Sequence, residues 1–160
     1  MRNLSAYTSE CVAELSSIGI TCGNIIDVIP NSRAKNRWGL CHYEANGCVI
    51  QISTKLLSED VSVTALKNTL IHELLHTVPG CHGHKGLWKQ LADKVNKYLG
   101  YNIKRTTSSE EKGIEREDGK YQIKCPKCGC VWNYQRFTRA VENAEKYRCG
   151  RCKVNLIRIK

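Results

Sequence analysis

The chain is short of several things. In 160 residues it has one phenylalanine, one methionine and three prolines. No apolar run approaches the ~18–20 residues that a membrane span needs. The first ten residues, MRNLSAYTSE, hold neither an apolar stretch nor a small-residue cleavage site. No secretory leader is therefore expected, and the chain reads as intracellular, in the cytoplasm or with the nucleoid or nucleus. A Ser-His-Asp order, a Walker loop and a dinucleotide fingerprint are all missing. Hydrophobic residues at 41% and charged residues at 25% are ordinary globular usage. The length suits one domain with a small appendage. Cysteine, by contrast, is abundant. Ten of them without a sign of secretion point to metal ligands and buried thiols rather than to a disulfide scaffold.

Acidic residues run short at one end only. Residues 1–119 carry 14 Lys/Arg against 13 Asp/Glu, a net of +1, whereas residues 120–160 carry 11 against 2, a net of +9. Four zinc-bound thiolates would bring that tail to +7. Between the two, TTSSEEKGIEREDGK (106–120) is polar and poor in large apolar residues, which predicts a linker. The expected organisation is a body over 1–105, a linker over 106–120 and a basic module over 121–160. A basic module on a neutral body suits a polyanionic partner, most often nucleic acid, or else a merely solubilising surface.

Along the body, Thr8 or Ser9 can cap a helix through 11–18 that Gly19 stops. Residues 25–29 form a short apolar run closed by Pro30 and Asn31, which reads as a strand, and 37–42 and 48–53 read as two more joined by turn chemistry at Glu44-Ala45-Asn46-Gly47. A long helix is expected over 61–78, capped by Asp60 or Ser62, with Leu66, Leu70 and Leu74 on its apolar stripe. Another is expected over 86–100, burying Leu87, Leu91, Val95 and Leu99. Helix, small sheet, helix, helix is an α+β arrangement.

Within the long helix stands His72-Glu73-Leu74-Leu75-His76. Two histidines four residues apart share one helix face, where both imidazoles reach one Zn²⁺. Glu73 is then free to take a proton from water at the metal, whose pKa falls to about 7 at a catalytic zinc. Two solvated surface histidines are the alternative, and the leucines around them argue against it. A catalytic zinc needs a third protein ligand, for which His82 and His84 are both placed. His82 has the metzincin spacing, but the glycine of that pattern falls at Pro79, and a Met-turn is impossible because the one methionine is Met1.

Trp38-Gly39-Leu40-Cys41, the apolar strand Val49-Ile50-Gln51-Ile52-Ser53, Ile71-His72-Glu73-Leu74-Leu75-His76-Thr77, and Gly83-His84 with Trp88 four residues on together resemble the SprT-like metallopeptidase family. Its eukaryotic relatives include a protease that acts on proteins crosslinked to DNA. The resemblance covers about residues 8–100. It implies a zincin-like α+β body, a catalytic Zn²⁺, and as third ligand a histidine followed four residues later by a large aromatic. That rule selects His84 over His82. The sequence departs from the family in carrying His82 and in placing Lys85-Gly86 after the ligand, where relatives usually have His-Gly. The unused histidine would sit near the metal or meet substrate. Oxyanion stabilisation is open among His82, Tyr43 and Tyr98, and an extended substrate is expected to add along 48–53.

The tail holds Cys125-x-x-Cys128 and Cys149-x-x-Cys152, twenty residues apart. Two such knuckles aim four thiolates at one tetrahedral ion, and a full shell makes that zinc structural. A redox CxxC would need a βαβ context that is absent. Cys130 is a rival ligand with poorer spacing. Many members of the resembling family end in such a β zinc ribbon. Residues 131–148 interleave Trp132, Tyr134, Phe137 and Tyr147 with Arg136, Arg139, Lys146 and Arg148. Cations on phosphates and rings on unpaired bases would suit single-stranded DNA or other nucleic acid with little sequence preference. Equally, the rings can form the ribbon's core and the cations face solvent. The sum is a zinc metallopeptidase with one catalytic and one structural Zn²⁺, a protein substrate and no membrane. The alternative is a nucleic-acid-binding zinc protein whose peptidase-like site is inactive.

Overall fold

The computed structural model describes residues 1–34, 37–114 and 119–160. It falls into two compact units, Met1–Glu115 and Arg116–Lys160.

The first unit begins with helix α1 (Leu4–Ser17), which starts earlier than its expected caps at Thr8 or Ser9. Leu4 belongs to the same buried face as Cys11 and Leu15, so the helix must include it. Asn3 is the cap, its side chain accepting the Ala6 N–H at 3.1 Å, and the Thr8 hydroxyl donates to the Leu4 carbonyl inside the helix. Gly19, at φ +71°, ends it.

Strands β1 (Ile25–Asn31), β2 (Gly39–Glu44) and β3 (Gly47–Ser53) form a sheet of order β1-β3-β2. β1 is parallel and β2 antiparallel to β3. Pro30 does not close β1, because an edge strand has outward positions where a missing N–H breaks no ladder. β3 alternates cleanly, with Cys48, Ile50 and Ile52 inward. Its central place overturns one expectation. Both flanks of β3 are paired, so no peptide can add along 48–53, and the free edges are those of β1 and β2.

A 3-10 turn (Thr54–Leu57) leads to helix α2 (Val63–Thr77), capped by Ser62, whose side chain accepts the Ala65 N–H at 3.1 Å. α2 is the axis of the unit: Leu66, Leu70, Ile71, Leu74 and Leu75 are wholly buried. Lys67 ties it to α1, its ammonium 2.8 Å from the carboxylates of both Glu10 and Glu14. Helix α3 (Leu87–Leu99) buries Trp88, Ala92 and Val95. Leu87, expected in the core, is exposed at the helix start, and Trp88 takes the inward position. The described part of the expected linker packs on this unit. Ile114 lies against the core, Glu110–Lys112 make a 3-10 turn, and Lys112 is 5% exposed.

In the second unit β4 (Tyr121–Lys124), β5 (Val131–Tyr134) and β6 (Ile157–Arg158) form an antiparallel sheet of order β5-β4-β6, with a short helix α4 (Arg139–Glu142). Its core is Ile123, Cys125, Ala144, Cys149 and Leu156, with Trp132 and Tyr134 packed against them. So few apolar side chains hold little on their own, which leaves a role for metal. The two Cys knuckles repeat one geometry. Cys125 N–H donates to Cys130 O and Gly129 N–H to Cys125 O; Cys149 N–H donates to Val154 O and Lys153 N–H to Cys149 O. Gly129 and Lys153 occupy the equivalent position, both left-handed, at φ +73° and +60°. A lysine there carries the Cβ penalty that glycine avoids. Lys153→Gly is expected to stabilise this unit by up to about 1 kcal/mol. The check is the chelator concentration that strips zinc from the zinc-loaded chain; easier stripping would contradict the strain argument.

Candidate metal centres

α2 sets His72 and His76 one turn apart, with ring centroids 5.2 Å from each other. The chain turns at Pro79-Gly80 and brings His84 back over them. His84 Nε2 lies 2.9 Å from His72 Nε2 and 3.1 Å from His76 Nε2. The opposite ring nitrogens are both occupied: His72 Nδ1 lies 3.0 Å from the Lys104 carbonyl and His76 Nδ1 2.8 Å from the Cys81 carbonyl. A carbonyl only accepts, so each Nδ1 carries the proton and each Nε2 is a bare lone pair. His84 can donate to one of them at most. With His84 bare at Nε2 as well, its lone pair faces both of theirs at about 3 Å, which is favourable only with a cation between them. Burial lowers the His72 pKa to about 3, helped by His76 and His84, and burial also lowers His76 and His84. All three are thus neutral imidazoles, the form that binds metal. Three such nitrogens with one position left open fit Zn²⁺.

Trp88 backs the triad, its ring 4.8, 5.5 and 4.7 Å from those of His72, His76 and His84. Its buried indole N–H has no partner among the described residues. His82 is outside the cluster, exposed, with its ring 4.9 Å from that of Tyr43. The Tyr43 hydroxyl is already given to the His76 carbonyl, at 2.8 Å. Tyr98, largely exposed, lies about 15 Å along α3 from Trp88.

Glu73 is 6% exposed and accepts the Cys41 backbone N–H. Burial raises its pKa to about 7 against the opposing pull of that N–H and of Lys112. A divalent cation at the imidazoles would pull it down as well. A Cβ at Gly39 would stand 2.4 Å from Glu73 Oε1, so the glycine of Trp38-Gly39 is what admits the carboxylate. Gly39 and Lys112 are the site residues the sequence did not single out for chemistry. Gly39 stood in the Trp-Gly motif, whereas Lys112 was hidden in a charge run that resembled a linker.

In the second unit the four sulfurs of Cys125, Cys128, Cys149 and Cys152 lie within 4.8 Å of one another, and Cys130 stays outside. The N–H groups of Cys128 and Cys152 point at the sulfurs of Cys125 and Cys149, each at 3.5 Å. Such donors favour thiolate, and the Cys149 thiol is lowered to about 7, chiefly by the Cys152 N–H. Four sulfurs complete a tetrahedral shell. Arg136, Arg139, Lys146 and Arg148 are all exposed. The rings divide: Trp132 and Tyr134 pack on the core, while Phe137 and Tyr147 are 51% and 44% exposed.

A His-Glu-x-x-His helix completed by a later histidine is the zinc-site arrangement seen here. The model of the SprT-like family matches residues 21–108, more than half of the chain, and the chain belongs to that family. The match takes in β1 to β3, α2, α3 and all three clustered histidines, and ends before the second unit. No curated protein matches the chain. Elemental analysis is expected to find two zinc ions per chain, one in His84→Ala and two in His82→Ala. Two ions in His84→Ala would remove it as a ligand.

Proposed function

We propose that the chain is a zinc-dependent metallopeptidase that hydrolyses peptide bonds in protein substrates. The observation that carries this reading is Glu73, a buried carboxylate lining one cavity with His72, the first of three convergent imidazoles, which a purely structural metal site would not need. Zinc held by His72, His76 and His84 would supply the Lewis acidity that activates water and polarises the scissile carbonyl. Glu73 takes the proton of the attacking water and passes it to the leaving amine. Cys41 N–H and the bare face of Gly39 fix where that carboxylate stands. The Lys104 and Cys81 carbonyls hold His72 and His76 in the tautomer that leaves Nε2 free. Because the Cys41 N–H goes to Glu73 rather than into the sheet, the free edge of β2 faces the base. An extended peptide adding to that edge would lie across the site.

The second unit supports nucleic acid as a partner through its exposed cations and the exposed rings of Phe137 and Tyr147. Proteins bound or crosslinked to DNA are the substrate class that such a pairing of units would serve.

Glu73→Gln is expected to lower cleavage of a DNA-binding protein by 100-fold or more while both zinc ions stay bound. Gly39→Ala should act in the same direction by displacing Glu73. Cleavage that persists in Glu73→Gln would sink the assignment of the base. For the second unit, affinity for oligo(dT) should fall steeply with salt. Neutralising Arg136, Arg139 and Lys146 together should reduce the log–log slope by about 2. An unchanged slope would remove these residues from the interface.

A further inference from the structure

A cavity of ≈ 240 Å³ opens beside His72 and Glu73. Thr69 also lines it. Thr69 lies one helical turn before Glu73 on α2, so the cavity runs from the reacting groups toward the start of that helix. Its volume is about eight times the ~30 Å³ share of a liquid water, which suits one polar side chain and its waters. A polypeptide held over the imidazoles would send the side chain next to its reacting carbonyl into this space.

The charge of the cavity is lopsided. Arg37, Lys104, Arg105 and Lys112 line it against one carboxylate, Glu73. Lys104 is already paired, its ammonium 2.8 Å from Glu111. Among the described residues no carboxylate lies within ion-pair distance of Arg37, Arg105 or Lys112. Lys112 is the telling one. It is 5% exposed, and its ammonium has three N–H donors, yet the acceptor it has is the neutral Thr69 hydroxyl, at 2.6 Å. That hydroxyl spends its own proton on the Ala65 carbonyl, at 3.0 Å. Burial lowers Lys112 to about 8 against the opposing pull of Glu111 and Glu73, neither of which reaches ion-pair distance of its ammonium. An apolar side chain in the cavity would strip water from these cations and leave them unpaired, which is costly. A carboxylate would meet them with charge-assisted hydrogen bonds.

We propose that this cavity receives the substrate side chain next to the scissile bond and selects aspartate or glutamate there, with Lys112 as the buried anchor and Arg37 and Arg105 at the rim. The proposal rests on the peptidase reading for the words "scissile bond", but the preference for a carboxylate stands on the cavity alone.

Two measurements on the full zinc-loaded chain test it. In the first, cut positions in an unfolded protein are read by mass spectrometry. Bonds next to Asp or Glu should be enriched about tenfold, the enrichment should vanish in Lys112→Met, and Arg105→Glu should turn it toward Lys or Arg. Cuts that ignore acidic residues, or a pattern unchanged in both variants, would overturn the proposal. The second needs no turnover: a labelled Glu-rich peptide is titrated onto the Glu73→Gln chain. It should bind at least tenfold more tightly than its Gln counterpart, and the difference should be lost on adding Lys112→Met or Arg105→Glu. Zinc content and thermal unfolding of each variant report whether it has folded. If the chain cuts nothing but the peptide preference is found, the peptidase reading fails and the carboxylate pocket survives. Acidic-peptide binding that persists in both double variants lies elsewhere on the chain and overturns the pocket. Displacement of the peptide by oligo(dT), with oligo(dT) affinity itself lost in Arg105→Glu, would give the cavity to phosphate instead.

Discussion

Three imidazole lone pairs pointed at one spot repel one another, and much of the first unit is arranged to keep them there. α2 is wrapped by α1, the sheet and α3, so its two histidines cannot turn away without opening the core. Two backbone carbonyls hold the outer ring nitrogens of His72 and His76, and Trp88 closes the back. The repulsion that this geometry stores is what a cation would relieve, so a metal held there and the folding of this unit would reinforce each other. The same crowding keeps Glu73 dry and accounts for a glycine where any larger residue would displace the carboxylate.

The second unit meets the same problem with sulfur. Its two knuckles copy one hydrogen-bond pattern and arrive from separate stretches of chain, each giving a backbone N–H to its own first cysteine. Trp132 and Tyr134 thicken a core that is otherwise scarcely more than the cysteines themselves. The exposed Phe137 has another neighbour: the Arg158 guanidinium lies 5.1 Å from its ring and 5.7 Å from that of Tyr121. Rings and cations in this unit therefore serve both as packing and as surface.

Much of this could be read from residue spacing. The four-residue interval of His72 and His76 needs only a helix to become a metal face, and paired CxxC motifs need only turns. The α+β order of elements followed from periodicity and turn residues in the same local way. What spacing could not give was anything set by strand order or by long-range packing. The central position of β3 depends on which strands pair, so the strand with the best alternating pattern was the wrong one to offer a peptide. Helix α1 began early because Leu4 had a core to reach, a fact of tertiary structure. Lys112 was least legible of all: a charged residue among charged residues gives no sign that it will be buried under a helix.

The stretch that follows α3 touches α2 more than once. The Lys104 carbonyl orients the first histidine, the Lys104 side chain grips Glu111, and the next residue, Lys112, reaches Thr69. A chain ended after Arg105 would therefore retain the three clustered imidazoles and Glu73, yet lose a wall of the cavity and uncover α2. The smallest piece that keeps this site whole extends through Ile114, ten residues beyond Lys104, where the clustered imidazoles and their carbonyl clamps are complete.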